Sequence, residues 1–479
     1  MRISDTEIRY LAYNWFRNSD GTDQTVVGGV SLGETIASTL WCGFASIVHY
    51  YQQFGTSSQT DGNINLPSDS SRVMKRVAAI FFKTTSTAPA IGNYPCDELL
   101  MHKLHIPSAP LSGIFRFVQR PFRFWIRRKK TLVIPHAFTK QVFRKNGESL
   151  EIFRKSIFWG AAPRLNKKFI RAGEAIFGQG LVDSFSYCRF AETLERHNAD
   201  WDRALIELCV EYAEEAYLEM RPHLIDCFAI YSDLLENYKP EVCVLPSDSF
   251  PSFMIAYQIC RMRGVESRSY VDGYPLITLW PIARDQLGKD WIVDRVAAYD
   301  FEHRDSILKL GFPESRILLV ESPFSKLQIR NTVVYEYILM SWFANSFSMD
   351  SDHTSPIDTM KTVLDVVVSE GAKSIAIKIK SIDEKRYIIP LIKDLPISVD
   401  ILEDNFYKHV TKAKAVIGGI STALKECACA EIPYFVFEPH VNGYSDEWIS
   451  RSLVMNIQNF ARTPDELKRL ITEGDLHDG

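Results

Sequence analysis

The second half of the chain alternates apolar segments with amphipathic ones, and this alternation restricts the possible folds more than any other feature. The strand-like segments are VVYEYILMSWF, SIAIKIK, ISVDILED, AVIGGI and PYFVFE. Between them lie the helix-like segments DTMKTVLDVVVSEG, DEKRYIIPLIKDL, FYKHVTKA and TALKECACAE. Strands that alternate with helices in this way predict a doubly wound parallel α/β sheet.

The first half contains one clear unit of the same kind. A strand is predicted at Val242–Leu245, a helix at about 252–263 and a second strand at about 267–271, which together form a parallel βαβ unit. Residues 198–238 have a helical pattern, and Ser31 with Glu34 predicts a capping box at the start of another helix. The polar stretch Gln53–Ser71 predicts a loop.

A chain of 479 residues is too long for one ordinary core, so two domains are expected. The composition changes near Gly311–Lys326, and we place a boundary or hinge there. The prediction is an N-terminal domain at 1–325 with a helical insertion, and a C-terminal domain at 326–479.

Charge and composition exclude several broad classes of protein. The chain has 55 Lys and Arg against 59 Asp and Glu, a net charge of -4, which argues against a general nucleic-acid binder. The N-terminus lacks the pattern of a signal peptide, and no apolar run approaches the ~20 residues that span a bilayer. The nine cysteines have no zinc-ligand spacing. We therefore expect a cytoplasmic protein, soluble or peripheral to the inner face of the cytoplasmic membrane.

One segment bears on a membrane contact. Residues 116–130, RFVQRPFRFWIRRKK, combine seven cations with four aromatic side chains and no acid. Such a segment suits an anionic membrane surface or a phosphorylated partner. The alternative is a solvated face whose aromatic residues enter the core.

In a doubly wound sheet ligands bind at the carboxyl ends of the strands. Gly418 and Gly419 end one predicted strand, and Ser421 and Thr422 begin the helix after it. Glycines allow a tight turn and a close approach to a ligand, and hydroxyls at a helix N-terminus suit phosphate oxygens. The alternative is a simple helix N-cap by one of the two hydroxyls.

Two lysines end the predicted strand SIAIKIK. Lys378 and Lys380 lie on one face of it because side chains alternate, and Lys380 is placed to reach a diphosphate or carboxylate. Alternatively, both lysines are solvated on an edge strand.

The ends of the first-half strands carry carboxylates. Asp272 precedes Gly273, and Asp248 follows the neighbouring predicted strand. Two such carboxylates suit general-base or nucleophilic chemistry, whereas Asp-Gly is also a common turn pair.

The last strand is followed by Glu438 and His440, which are candidates for a ribose diol and a phosphate, although a lone histidine is more often structural. The chain has no G-x-G-x-x-G after a strand, no P-loop and no D-x-D after a strand. These absences weaken dehydrogenase, P-loop NTPase and metal-dependent transferase assignments.

The segment AVIGGISTALKECACAEIPYFVFEP resembles the nucleotide-binding segment of GT-B-fold glycosyltransferases of bacterial surface-polysaccharide assembly. Ser421, Thr422 and Glu426 fill the pattern, followed by Ile432 and Pro433. The strand SIAIKIKS is similar to one that often ends in Lys-x-His-Pro, but Ser381 and Ile382 stand at the last two of those places. The resemblance implies two Rossmann-like domains facing a cleft, with the hydroxyl pair on the donor phosphate and Lys380 in place of the missing histidine.

The Asp272-Gly273 pair resembles the end of the N-terminal domain in the same group, and in particular enzymes that use CMP-activated ulosonic acids such as Kdo or sialic acid. The resemblance implies metal-independent transfer of a sugar to a surface-polysaccharide or lipid-linked glycan, without a cofactor. Asp272 would be base or nucleophile. The alternatives are a sugar-nucleotide epimerase of related fold and a non-catalytic assembly scaffold.

Overall fold

The structure is a computed structural model. It describes residues 3–56, 72–81, 131–133, 150–152, 166–245, 251–270, 293–298, 301–309, 312–320, 332–342, 356–379, 382–404, 406–419, 421, 423–439 and 459–474.

The chain divides into two compact units. The first comprises Met1–Asp272, Trp280–Ala297 and Gly311–Leu318, and the second comprises Gly273–Leu279, Ala298–Leu310 and Leu319–Gly479. The predicted boundary at 325/326 and the hinge proposed with it fall within 321–331, outside the described residues. No helix in the described part of the chain is long and apolar enough to cross a membrane.

The first unit combines a helical layer with a parallel sheet. Its helices are α1 (Asp5–Asn14), α2 (Leu32–Thr56), α3 (Arg72–Phe81), α4 (Lys167–Ile176), α5 (Tyr187–Arg196), α6 (Arg203–Tyr238) and α7 (Pro251–Arg263). A short antiparallel pair, β1 (Val26–Val27) and β2 (Val30–Ser31), leads into α2. Helix α2 runs to Thr56, so the first four residues of the predicted loop at Gln53–Ser71 are helical, and the rest of that prediction lies outside the described residues.

The predicted capping box at the start of α2 is half confirmed. Ser31 Oγ accepts from the N–H of Glu34 at 3.0 Å, as a cap should. The N–H of Ser31 donates to Gln258 Oε1 on α7, and the Glu34 carboxylate binds Arg17. In a complete capping box the Glu34 carboxylate would accept from the Ser31 N–H, but here both groups are bonded to other residues.

Six strands form the sheet of the first unit in the order β4-β3-β5-β6-β7-β8. They are β3 (Thr131–Val133), β4 (Leu150–Ile152), β5 (Val242–Leu245), β6 (Glu266–Tyr270), β7 (Arg295–Ala298) and β8 (Ile317–Leu319). The pairs from β4 to β7 are parallel, and β5-α7-β6 is the predicted βαβ unit. Strand β8 lies in the segment assigned from composition to a boundary or hinge.

The second unit contains a doubly wound parallel sheet, as predicted. Its strands are β9 (Tyr335–Met340), β10 (Ser374–Lys378), β11 (Ser398–Leu402), β12 (Ala413–Gly418), β13 (Tyr434–Phe437) and β14 (Phe460–Ala461). Their order is β11-β10-β9-β12-β13-β14, and every neighbouring pair is parallel. Counted along the chain this is 3-2-1-4-5-6, the order of a Rossmann sheet, with the switch point between β9 and β12.

The helices of the second unit are α8 (Phe301–Lys309), α9 (Pro356–Ser369), α10 (Lys385–Ile392), α11 (Ala423–Cys429) and α12 (Pro464–Gly474). The segment FYKHVTKA, predicted as a short helix, forms two 3₁₀ turns at Phe406–Lys408 and Val410–Lys412. Alternate strand residues face two apolar cores: Ile375 and Ile377 face the core beneath α9 and α12, and Ala376 faces the core beneath α11. The face with α11 carries the candidate site.

Candidate functional site at the carboxyl edge of the second sheet

The candidate site lies where strands β10 and β12 end, on either side of β9. Strand β10 ends at Lys378, which is in register with Met340 of β9 and Leu402 of β11. Strand β12 ends at Gly418, and α11 begins five residues later. Because all of these strands are parallel, their carboxyl ends lie at one edge, where doubly wound sheets bind ligands.

Lys378 is a buried cation. Its side chain is 9% exposed, and its Nζ donates to the carbonyl of Ile379. Strand β10 lies between β11 and β9, so the alternative of a solvated edge-strand lysine is wrong for this residue. Burial lowers the pKa of Lys378, while the carboxylates of Glu384, Asp404 and Glu426 act in the opposite direction.

Glu426, which the resemblance singled out, lies in the first turn of α11 and is 5% exposed. Its Oε2 is buried without a hydrogen-bond partner among the described residues. Burial raises the pKa of Glu426 to about 7, although nearby Lys378 acts to lower it. A buried carboxyl group with an open oxygen therefore lies beside the buried amine.

Ser341 and Glu384, which no sequence pattern indicated, link the ends of β9 and β10. Ser341 Oγ donates to the buried carboxylate of Glu384, and the Ser341 N–H donates to the carbonyl of Lys378 at 2.9 Å. Asp404, after β11, binds His409 and Lys408, and these bonds lower the pKa of its exposed carboxyl to about 2. Both carboxylates thus act on Lys378 from neighbouring strand ends.

Ser421 caps α11. Its Oγ accepts from the N–H of Ala423 at 3.3 Å, and its carbonyl accepts from Leu424 at 3.1 Å. The N-cap alternative is therefore present in the structure. Because a hydroxyl both donates and accepts, the cap does not exclude a contact to phosphate, which stays a prediction. With seven residues, α11 is too short for its dipole to carry that prediction.

Gly418 is required by packing within the unit. A Cβ on Gly418 would lie 2.5 Å from the hydroxyl of Tyr434 and 2.6 Å from Cβ of Met340. Its φ is not in the left-handed region, so the tight-turn explanation does not apply to it. Gly419, the second glycine, is buried, and its carbonyl accepts from the Tyr434 hydroxyl at 2.6 Å.

Glu438 follows β13 and is half-buried, and its N–H donates to the carbonyl of Ala461 at 3.0 Å. The remaining predicted site residues fall outside the described part of the chain: Asp248, Asp272, Gly273, Lys380, Thr422 and His440. The basic segment at 116–130 also falls outside it. Among the described residues, Lys378 and Glu426 thus lie close enough to influence each other electrostatically, and Gly418, Gly419 and Ser421 lie at the same edge of the sheet.

Comparisons with known proteins give distant structural neighbours. No protein-family model matches the chain, and no curated protein matches it. Methanocaldococcus jannaschii UDP-GlcNAc 2-epimerase in complex with UDP-GlcNAc and UDP is 11% identical, with a TM-score of 0.42 over 72% of this chain and 91% of that chain. Neisseria meningitidis UDP-GlcNAc 2-epimerase bound to UDP-GlcNAc is 9% identical, with a TM-score of 0.36 over 73% and 99%.

Acinetobacter baumannii MurG is 13% identical, with a TM-score of 0.33 over 53% of this chain and 70% of that chain. All three scores are below 0.5.

Proposed function

We propose that the protein is a GT-B-type glycosyltransferase that binds a nucleotide-sugar donor at the carboxyl edge of β9, β10 and β12. One observation carries the proposal: at the carboxyl edge of a 3-2-1-4-5-6 sheet, a buried lysine ends β10 and a buried carboxyl group with an open oxygen lies in the first turn of the helix after β12. Burying ionisable groups is costly unless they are paired, and such groups are concentrated at functional sites.

Lys378 is the proposed anchor for the donor phosphate. Desolvation makes its ammonium a strong partner for an anion, because the attraction between charges grows as water is removed. Ser421 supplies a hydroxyl from the neighbouring turn, and Glu426 supplies an open carboxyl oxygen for a hydroxyl of the ligand.

The proposed donor is a CMP-activated ulosonic acid, with a surface-polysaccharide or lipid-linked glycan as acceptor. The support for this donor class is the Asp272-Gly273 pair, which resembles the pair in enzymes that use such donors.

In the proposed reaction an acceptor hydroxyl oxygen forms a bond to the anomeric carbon, and the bond from that carbon to the phosphate oxygen breaks. Asp272 either takes the hydroxyl proton as that bond forms, or bonds first to the anomeric carbon as the phosphate departs. In the second case the acceptor oxygen then displaces the Asp272 carboxylate, and the hydroxyl proton passes to the departed phosphate. The departing phosphate gains negative charge, which Lys378 stabilises.

A thermal-shift panel of CMP, UDP, GDP and CDP tests the proposal, because a ligand that binds the native state raises its stability by mass action. We expect CMP to raise the melting temperature in a concentration-dependent way. A response to UDP or GDP alone would contradict the ulosonic-acid donor, and no response to any nucleotide would contradict the donor site. Product analysis with donor alone distinguishes transfer from epimerisation, because an epimerase needs no acceptor.

A further inference from the structure

Tyr434 lies between two parts of the second unit that are distant in sequence. It is the first residue of β13 and is in register with Val416 of β12. Its hydroxyl nevertheless reaches the far end of β12, where it donates to the carbonyl of Gly419 at 2.6 Å. The aromatic ring therefore extends along the strand direction, from the middle of the sheet to the edge that carries Lys378.

The space for this hydroxyl depends on a missing side chain. Tyr434 belongs to the apolar core beneath α11, together with Ala423 and Cys427 of that helix. The absence of a Cβ at Gly418 leaves the space that the hydroxyl occupies. A phenylalanine would fill the same core, so packing alone does not explain the hydroxyl.

A buried phenol is costly unless it forms a hydrogen bond. Tyr434 is 4% exposed, and the carbonyl of Gly419 meets that requirement. Burial also raises the pKa of Tyr434 well above its ordinary value, so the hydroxyl remains a donor throughout the physiological pH range. The bond is therefore a fixed constraint on the turn.

The carbonyl that Tyr434 holds lies at the start of the turn to Ser421. Ser421, two residues later, holds the amides of Ala423 and Leu424.

We propose that Tyr434 is a positioning residue for the donor site: its hydroxyl fixes the Gly419 carbonyl and so sets the orientation in which the turn presents Ser421 to the donor phosphate. This inference rests on the proposed function, because it assigns a role within the same site. Tyr434 itself is not expected to touch the ligand.

The test compares Tyr434→Phe with Tyr335→Phe. Tyr335 begins β9 at the opposite edge of the same sheet, and its hydroxyl donates to Asp400 at 2.9 Å. Each substitution removes one tyrosine hydroxyl and one hydrogen bond, but only the first removes a bond to the turn.

Two measurements are made on each full-length variant. The first is amide hydrogen exchange of the peptide covering residues 417–426 without ligand. We expect exchange there to be at least tenfold faster in Tyr434→Phe and unchanged in Tyr335→Phe. The second is calorimetric affinity for CMP, which we expect to fall at least tenfold in Tyr434→Phe and to stay within twofold in Tyr335→Phe.

Unchanged exchange in Tyr434→Phe would overturn the inference, as would faster exchange with unchanged CMP affinity. An equal loss of affinity in the two variants would also overturn it, because loss of stability would then explain the effect. If the wild-type protein binds neither CMP nor another nucleotide of the panel, the proposed function fails and the inferred donor role fails with it. The exchange rates then report separately whether Tyr434 holds the turn.

Discussion

Ser341 and Glu384 are 43 residues apart in sequence, and the Ser341 hydroxyl donates to the Glu384 carboxylate in the buried edge of the second sheet. The bond joins the end of β9 to the residues after β10. It also keeps a carboxylate near Lys378, where that carboxylate partly opposes the lowering of the lysine pKa by burial.

Replacing Ser341 with alanine removes a donor to a buried carboxylate. Hydrogen bonds to charged groups contribute about 1.5–3 kcal/mol, so we expect the free energy of unfolding to fall by roughly 2 kcal/mol in denaturant titrations. Ser374→Ala is the control, because the Ser374 hydroxyl donates to the Val334 carbonyl at the exposed amino end of the sheet. Equal losses of unfolding free energy in the two variants would show that the Ser341 bond to a buried carboxylate stabilises the protein no more than the exposed Ser374 bond does.

Lys378→Met keeps a long apolar side chain but removes the buried ammonium. If Lys378 holds the donor phosphate, we expect nucleotide affinity, measured by calorimetry, to fall at least tenfold, or about 1.4 kcal/mol. Lys373→Met removes an exposed lysine immediately before β10 and should leave affinity unchanged. If Lys378→Met binds the nucleotide as tightly as the wild-type protein does, Lys378 does not bind the donor phosphate.

Glu426 should make stability depend on pH in a direction opposite to that of an ordinary salt-bridged carboxylate. Its pKa is about 7 in the native protein, whereas the ordinary value for a glutamate, expected in the unfolded chain, is 4.5. Between these pH values the native state therefore binds more protons than the unfolded state. Stability from this group is fully present below pH 4.5 and is lost as pH rises through 7.

Glu426→Gln removes this titration. Relative to wild type, we expect the variant to gain stability by roughly 2–3 kcal/mol between pH 4.5 and pH 8, as measured by denaturant unfolding across that range. Glu403→Gln is the control, since Glu403 is an exposed carboxylate paired with Lys385. A pH dependence that Glu426→Gln leaves intact would assign the titration to another group.

Asp272→Asn tests the predicted base or nucleophile. The amide can neither accept the proton nor form the covalent bond, so transfer should fall by at least a hundredfold, whereas nucleotide affinity should change little. Turnover is measured with donor and acceptor, and affinity is measured by calorimetry on the same preparation. Near-normal turnover in Asp272→Asn would show that Asp272 is neither the base nor the nucleophile.

The sequence predicted much of the second unit because its signals are local. Short apolar segments such as SIAIKIK can be recognised as strands from their own residues. The alternation of such strands with helices predicted the parallel sheet correctly. Strands β3 and β4 have three residues each, which is too short for a periodic pattern, and no pattern in the sequence predicted them.

Residues of the candidate site could be selected from the sequence only where they lie at or shortly after the end of a predicted strand. Lys378 and Ser421 were selected from that position, and Glu426 from the resemblance. Ser341, Glu384 and Tyr434 could not, because their roles depend on which strands are neighbours and on their register. The burial of Lys378 likewise follows from the position of β10 between β11 and β9. The order of strands in the sheet cannot be read from the spacing of residues along the chain.

The crowding around Gly418 affects how divergent relatives of this chain should be interpreted. A side chain at that position needs simultaneous changes at Tyr434 and Met340, so single mutations there are disfavoured whether or not the protein is an enzyme. If Lys378 binds the donor phosphate, by contrast, its burial is costly in a protein that no longer binds that ligand. We then expect a relative that lost activity to retain the glycine and lose the lysine, so the lysine is the better marker of an active relative.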